Sequence, residues 1–460
     1  MVDTTRLVPI VGSANVRTDA DTLSRTVSAW AIPVIKQRQG NIVTTASAVV
    51  YPGSPDEVAA IVAWANETKT PLHPVGGLSN TVESVAPTPN GVAIDLARLN
   101  AWTLDEESLL VTVGAGVRWA ELEETLNQQA YTLGQVPRSF KLLTVGGAIA
   151  TNAVGALSGR YGRVGDIVQG MEVVTGAGEF LQLRKTANFD MLPLFIGSEG
   201  QFGVITTATL RIRPLPEVQA GMAFTFRTIE DAIDAARLIY RTDSRPTLVR
   251  VFDSESAAPF SPQAKALLIA TVEGQELAQT GIYQLAHAIC QTVGGTEVSS
   301  FVVDSWYSRW QETDFLSANA HPNRIAIIVT AEATWANVKG VEQAVRSLML
   351  PNVVQRHANL CHPSPNGATW EFFIEAQTNS IDSPINSINP QAMYIAYQET
   401  ITHISNAILQ AGGSITAHYG IGKTLQSAMK AERGAAQTAI WKSMKAVFDP
   451  NNLLNPGVFV

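Results

Sequence analysis

The chain has 460 residues, of which 46% are hydrophobic and only 16% charged, and its formal net charge is −8. That length exceeds what one ordinary hydrophobic core fills, so two domains are expected, and the acidic balance gives a nucleic-acid role no electrostatic support. Cys290 and Cys361 lack metal-type spacing and exclude a disulfide scaffold, no apolar run reaches the roughly 18 residues of a membrane helix, and no basic leader precedes an apolar run, so a cytoplasmic protein is expected.

Residues 1–45 read as a helical lead-in. Ala46–Tyr51 reads as a strand, Pro52–Pro55 as a turn, and Asp56–Thr68 as an amphipathic helix opened by Ser54 and Asp56. Pro71–Val75, Val92–Asp95 and Leu109–Val113 are predicted strands and Trp119–Ala130 a helix. Val168–Thr175, Gly178–Arg184 and Val204–Arg213 follow as strands of β-rich composition. Pro214 and Pro216 interrupt the pairing pattern and mark a domain boundary. Beyond it, helices predicted at Thr228–Tyr240, Leu277–Thr292, Val338–Leu348 and Met393–Ala411 interleave with strands at Thr247–Asp253, Ala266–Glu273, Ile325–Ala331 and Thr369–Ala376. That order reads as an α+β domain with a largely antiparallel sheet.

The densest signal is Thr144–Gly162, where Gly146, Gly147, Gly155, Gly159 and Gly162 stand among small residues and Arg160 is the only charge. Each glycine costs about 1 kcal/mol in a helix interior, so the stretch reads as a buried loop against a large cofactor. Pro74–Asn80 repeats the chemistry after a short strand, with Gly76 and Gly77 followed by Ser79 and Asn80; backbone amides in such a turn hold a diphosphate without a lysine. Two nucleotide motifs fall short. Gly114-Ala115-Gly116 lies between a strand and a helix, but Trp119 replaces the third glycine of a dinucleotide fingerprint. Ala417–Thr424 ends like a phosphate loop, but Ala417 stands where its first glycine belongs.

Taken in order, Pro74–Asn80, Asp95–Asn100, Val113–Leu122, Pro137–Gly162, Gly197–Thr206 and Phe448–Gly457 resemble the FAD-binding oxidases and dehydrogenases of the vanillyl-alcohol oxidase and p-cresol methylhydroxylase superfamily, most of all its glycolate oxidase and D-lactate dehydrogenase branch. The resemblance implies an α+β fold with a two-part FAD-binding domain over 46–216, an α+β cap domain with a largely antiparallel sheet over 217–411, and a segment 412–460 that returns to the FAD domain. It implies FAD as cofactor. Pro74, Val75, Gly76, Gly77, Leu78, Ser79 and Asn80 would wrap the diphosphate. Pro137, Ser139, Thr144, Gly146, Gly147, Thr151 and Asn152 would line the adenine, ribityl and flavin edge, with Gly203, Val204 and Ile205 at the adenine end and Asn455 in the tail wall. Leu78 stands where some relatives attach flavin through histidine, so FAD is expected to be dissociable.

The implied activity is oxidation of a small 2-hydroxy acid, of glycolate or D-lactate type, to the 2-oxo acid. Hydride goes to flavin N5, and electrons leave to a quinone, an iron–sulfur or second flavoprotein subunit, or another carrier. Such chemistry needs a cation for the carboxylate and a base for the hydroxyl proton. Trp306-x-x-Arg309 resembles the family's clamp element, although the same spacing also suits an exposed helix arginine beside packing tryptophans. The family's metal element keeps His362 here but has Thr369 at its second histidine, and its Glu-His-Gly becomes His418-Tyr419-Gly420. His418 and Tyr419 are thus the candidate bases and His362 the candidate ligand of a doubtful divalent metal, against a plain reading as hydrogen-bonded core histidines. Two other functions fit the same residues. One is a flavin subunit of a glycolate-oxidase-like complex, peripheral to a membrane through its partner and with little catalysis of its own. The other is an oxidase of a neutral alcohol, for which Arg309 is dispensable.

Overall fold

The computed structural model describes residues 2–26, 46–85, 87–311, 324–350, 353–377, 390–415 and 418–458. The lead-in expected over 1–45 is therefore described only to residue 26, where short helical turns accompany a two-residue strand, β1 (Val16–Arg17). β2 (Ala48–Val50), β3 (Leu72–Val75) and β4 (Val92–Asp95) run parallel in a four-stranded sheet of order β1-β2-β4-β3. The helix Pro55–Thr68 connects β2 to β3. The Ser54 hydroxyl accepts from Glu57 N at its N-cap, Pro55 occupies the first turn, and Lys69 ends it in the left-handed region. Val58, Ile61, Val62 and Ala65 recur at helical spacing and are buried in the core around this sheet.

β5 (Trp102–Asp105), β6 (Leu110–Gly114), β8 (Val168–Thr175), β9 (Phe180–Arg184) and β10 (Gly203–Arg211) form an antiparallel sheet of order β5-β6-β10-β8-β9. A two-stranded ribbon joins β7 (Tyr131–Thr132) to β11 (Arg213–Pro214) just before the expected boundary. Seven antiparallel strands follow: β12 (Val218–Phe226), β13 (Leu248–Asp253), β14 (Ala266–Gly274), β15 (Thr296–Val298), β16 (Arg324–Thr334), β17 (Val353–Cys361) and β18 (Gly367–Gln377), in the order β15-β12-β14-β13-β17-β18-β16. Alternation along β14 sends Leu268 and Ala270 into the main core with helices Ile229–Arg241 and Glu276–Thr292. Leu267 and Ile269 face the other way, into a cluster with Val136, Leu157 and Tyr161 from the glycine-rich half and Trp306 and Trp310 from helix Phe301–Gln311. That second face holds the sheet against the first half of the chain.

Two expectations need correction. Thr144–Gly162 is not a plain loop: it contains helices Val145–Ala150 and Ser158–Tyr161. Gly146 is what the short helix needs to pack, since a Cβ there would lie 2.8 Å from the Ala115 Cβ. Helix Gln426–Phe448 and strands β5, β12, β15 and β17 were also not expected, while helix Phe301–Gln311 matches the alternative reading of Arg309. No helix among the described residues is long and apolar enough to cross a membrane.

The C-terminal segment packs on the first half of the chain. Leu72 N donates to Leu453 O and Asn455 N to Leu72 O. Buried Lys445 donates to Asp449 and to the carbonyls of Gln201 and Leu454, each at 2.6 Å. Removing one partner of such a pair leaves a buried charge uncompensated, so Lys445→Ala is expected to lose about 3–5 kcal/mol of stability in urea unfolding. His73 gives a second expectation. Burial, opposed by its bond with Asn455, holds the imidazole down at about 4. Its folded value thus lies below the unfolded value of about 6.5, and the unfolded chain takes up the proton first. The stability it contributes is full above that unfolded value and drains away as pH falls toward 4. Unfolding midpoints should decline over this window, and His73→Gln should make the decline shallower.

Candidate functional site

Where the sheets meet, a cavity of about 1100 Å³ opens. Pro74, Val75, Gly76, Gly77, Leu78, Ser79 and Asn80 enter its wall from the turn after β3. Pro137, Ser139, Thr144, Gly146, Gly147 and Thr151 come from around helix Val145–Ala150, Gly203, Val204 and Ile205 from the start of β10, and Asn455 from the tail. Asn152 stands behind this lining, its Oδ1 accepting from Gly165 N at 3.0 Å. A Cβ at Gly77 would run into the Leu142 carbonyl, so only glycine lets this turn close over the cavity.

Glu199, also in the wall, binds the returning C-terminal chain. Its carboxylate accepts from Ile421 N at 2.5 Å and Gly422 N at 2.9 Å, while its carbonyl accepts from the Asn455 side chain at 2.8 Å. Burial pushes this carboxyl above the usual range, against the pull of those amides. Strained backbone surrounds the cavity. Leu78, Asn152, Glu199, His362, Tyr419 and Asn455 all have φ between 44° and 66°, a left-handed conformation that non-glycine residues hold only when their surroundings enforce it.

At the far end the cavity meets His418, Tyr419 and Arg138. The Tyr419 hydroxyl donates to Glu371 Oε1 at 3.0 Å, and Arg250 Nη1 donates to Glu371 Oε2 at 2.8 Å. The Arg250 guanidinium lies 4.3 Å from the Trp310 ring and 5.1 Å from that of Trp306, and Arg138 lies over Trp310 and Phe373. Burial alone would raise the Glu371 carboxyl, but Arg250 and Arg138 more than offset it and hold it at about 2. Burial and the Glu371 charge push the Tyr419 phenol well up, so it stays a proton donor. Burial foremost, with Arg163 adding, holds His418 down at about 3, so its ring is neutral. His418 Nε2 and His362 Nδ1 have no hydrogen-bond partner, and their ring centroids are 4.7 Å apart.

The ligating atoms of Cys361, His362, Glu371 and His418 lie within 4.8 Å of one another. The donor set still fits a divalent metal poorly. Each Glu371 oxygen already accepts a hydrogen bond, from Arg250 or Tyr419, and a metal would sit beside a guanidinium whose charge repels it. Arg309 does not reach the cavity: it is exposed on helix Phe301–Gln311, with its guanidinium 5.3 Å from the Phe260 ring. Trp306 and Trp310, one turn apart, take that helix's buried face instead. Arg138, Arg250 and Glu371 were not among the candidates drawn from the sequence. Each carries a signal: Arg138 is the cation between two expected cofactor contacts, and Arg250 and Glu371 are charges flanked on both sides by apolar residues.

The FAD binding domain family matches residues 46–184, and the C-terminal domain family of FAD linked oxidases matches residues 377–459. Alkyldihydroxyacetonephosphate synthase of Dictyostelium discoideum is 25% identical across 92% of this chain and 74% of its own length. The glycolate oxidase subunit GlcD of Bacillus subtilis is 25% identical, covering 89% and 88%. D-2-hydroxyglutarate dehydrogenase of Stutzerimonas stutzeri is 26% identical, covering 98% and 97%. In fold, the structure of p-cresol methylhydroxylase with substrate bound superposes with a TM-score of 0.79 at 16% identity, over 99% of this chain and 95% of that one. The chain thus carries the FAD binding domain and the C-terminal domain of FAD linked oxidases, in a fold of the p-cresol methylhydroxylase type, and is an FAD-linked oxidoreductase with FAD as its cofactor.

Proposed function

We propose that the protein oxidises a small 2-hydroxy acid to the 2-oxo acid. The observation that carries this reading is one continuous cavity. Its walls hold the residues expected to bind FAD, and its far end presents an arginine and a neutral histidine, Arg138 and His418. Relatives named for glycolate oxidation and for dehydrogenation of D-2-hydroxyglutarate support the substrate class.

FAD held by Pro74–Asn80, Thr144–Thr151 and Gly203–Ile205 supplies a hydride acceptor. Arg138 clamps the carboxylate with two parallel N–H groups, the task first expected of Arg309. Stacking on Trp310 and Phe373 fixes its guanidinium plane. His418 takes the hydroxyl proton, because its imidazole is neutral and Nε2 has no partner within the protein. Tyr419 cannot share that task while its hydroxyl donates to Glu371; it is a positioning residue, tying the segment that bears His418 to β18. No step uses a metal. FAD is bound non-covalently, since Leu78 offers no atom for attachment.

Glycolate or D-lactate should bleach the visible flavin absorbance under anaerobic conditions. His418→Gln should slow that reduction by about 10²–10⁴-fold with FAD retained. Arg138→Ala should abolish saturation by hydroxy acid, and Arg309→Ala should behave as wild type. A wild-type flavin that no 2-hydroxy acid bleaches overturns the reading. Dialysis against a strong chelator should leave both turnover and the unfolding midpoint unchanged; loss of either would restore a metal to His362.

A further inference from the structure

A second cavity, of about 780 Å³, lies beside the first. Val154 and His418 stand in the walls of both, and none of the residues expected to bind FAD reaches the second. The partition between the two cavities therefore runs through Val154 and His418, on the side away from the cofactor's walls.

Backbone contacts fix where Val154 stands. Before it, Ala153 N donates to Ala148 O at 2.8 Å, and Val164 N donates to Ala153 O at 2.9 Å. After it, Gly155 pairs with Pro137 in an antiparallel bridge, and Ala156 N donates to Val136 O at 2.8 Å. The two segments approach so closely that a Cβ at Gly155 would lie 2.6 Å from Val136 N. Continued by one residue, this pairing sets Val154 directly across from Arg138. Cross-strand neighbours of that kind leave the same face with Cβ atoms roughly 5 Å apart, and both side chains line the first cavity. Val154 is thus the apolar neighbour of the guanidinium assigned to the carboxylate, on the wall it shares with His418.

A 2-hydroxy acid carries four groups on C2, and three have places already. The carboxylate lies on Arg138, the hydroxyl on His418, and the transferred hydrogen faces the side lined by the cofactor's contacts. Tetrahedral geometry sends the fourth group, the side chain, away from that side. It then points at the partition that Val154 and His418 make with the second cavity.

We propose that Val154 closes the pocket for the substrate's side chain and restricts the enzyme to 2-hydroxy acids bearing hydrogen or methyl on C2. This rests on the hydroxy-acid reading above. A longer side chain would press extra methylenes into space that Val154 already fills, forcing it and its neighbours off their rotamers. Loss of the two Val154 methyl groups opens that space toward the second cavity, so an acid longer by two carbons then fits.

The test is stopped-flow anaerobic flavin reduction of the FAD-loaded enzyme with glycolate, D-lactate, D-2-hydroxybutyrate, D-2-hydroxyvalerate and D-2-hydroxyglutarate. Second-order rate constants are compared as ratios, so that a change common to all acids cancels. In wild type, D-lactate should stay within about tenfold of glycolate, and the longer acids should fall about tenfold or more below D-lactate. Val154→Ala should raise the hydroxyvalerate-to-lactate ratio by about tenfold or more, and Val154→Leu should lower the lactate-to-glycolate ratio by about fivefold or more. Opposite shifts in the two variants separate pocket size from general damage to the fold. Affinities of the matching 2-oxo acids for the oxidised enzyme, read from perturbation of the flavin spectrum, should follow the same order. Ratios unchanged in both variants overturn the proposal while the hydroxy-acid function stands. So does a wild type that takes D-2-hydroxyvalerate or D-2-hydroxyglutarate as readily as D-lactate. A wild-type flavin that none of the five acids reduces overturns both.

Discussion

The carboxylate of Glu199 is the interaction on which the site depends. It sits in a tight turn of the FAD-binding half, in a left-handed backbone conformation, and accepts from two consecutive amides more than 220 residues further along the chain. Its carbonyl takes a third bond, from Asn455. One residue therefore sets how the Tyr419–Gly422 turn and the tail lie against the cofactor's wall. Because His418 directly precedes that turn and Tyr419 opens it, their position in the cavity follows from the same contact. Gly422 suits its place for a related reason: a Cβ there would run into the Val82 carbonyl, and its φ of 53° lies in the left-handed region.

The reactive end is organised by charge. Arg250 and Glu371 form a buried pair linking β13 to β18, and the Tyr419 hydroxyl completes the carboxylate's hydrogen bonds. A buried pair of this kind adds little net stability, since desolvation costs about as much as the attraction returns. What it provides is a fixed local field. Two arginines near neutral histidines place positive potential at this end of the cavity. The seven-stranded sheet brings this charge to the cavity, and the glycine-rich half brings most of its wall, so neither half makes the cavity alone.

Much of the fold was legible because its causes are local. Ser54 and Pro55 announce a helix start, alternation announces β13 and β14, and Gly76 and Gly77 announce a turn pressed against something large. The strands that escaped notice have weaker local marks. β17 runs Val-Val-Gln-Arg-His-Ala-Asn before its apolar end, and its first half is largely exposed or half-buried, so its hydrophobic pattern is thin. Helix Val145–Ala150 was missed for the opposite reason. A propensity cost of about 1 kcal/mol per glycine argued against it, but the close approach of Gly146 to Ala115 outweighs a local preference. Arg250 and Glu371 lie 121 residues apart, and no reading of neighbours along the chain pairs them. Arg309 was open to two readings, clamp or exposed helix arginine; its helix turns the tryptophans inward and leaves the arginine in solvent.

The backbone contacts between β3 and the tail have a consequence for how the protein acquires its cofactor. Asn455 is hydrogen-bonded to His73, 382 residues earlier, and both Pro74 and Asn455 line the same cavity. The cradle is therefore no preformed module that captures flavin while the rest of the chain is still folding. It is completed only by contacts among the longest-ranged of the described residues, which carry a large loop-closure cost. Flavin retention thus reports whether the ring of the fold has closed, and a lesion far from the cofactor that reopens it would appear first as lost colour.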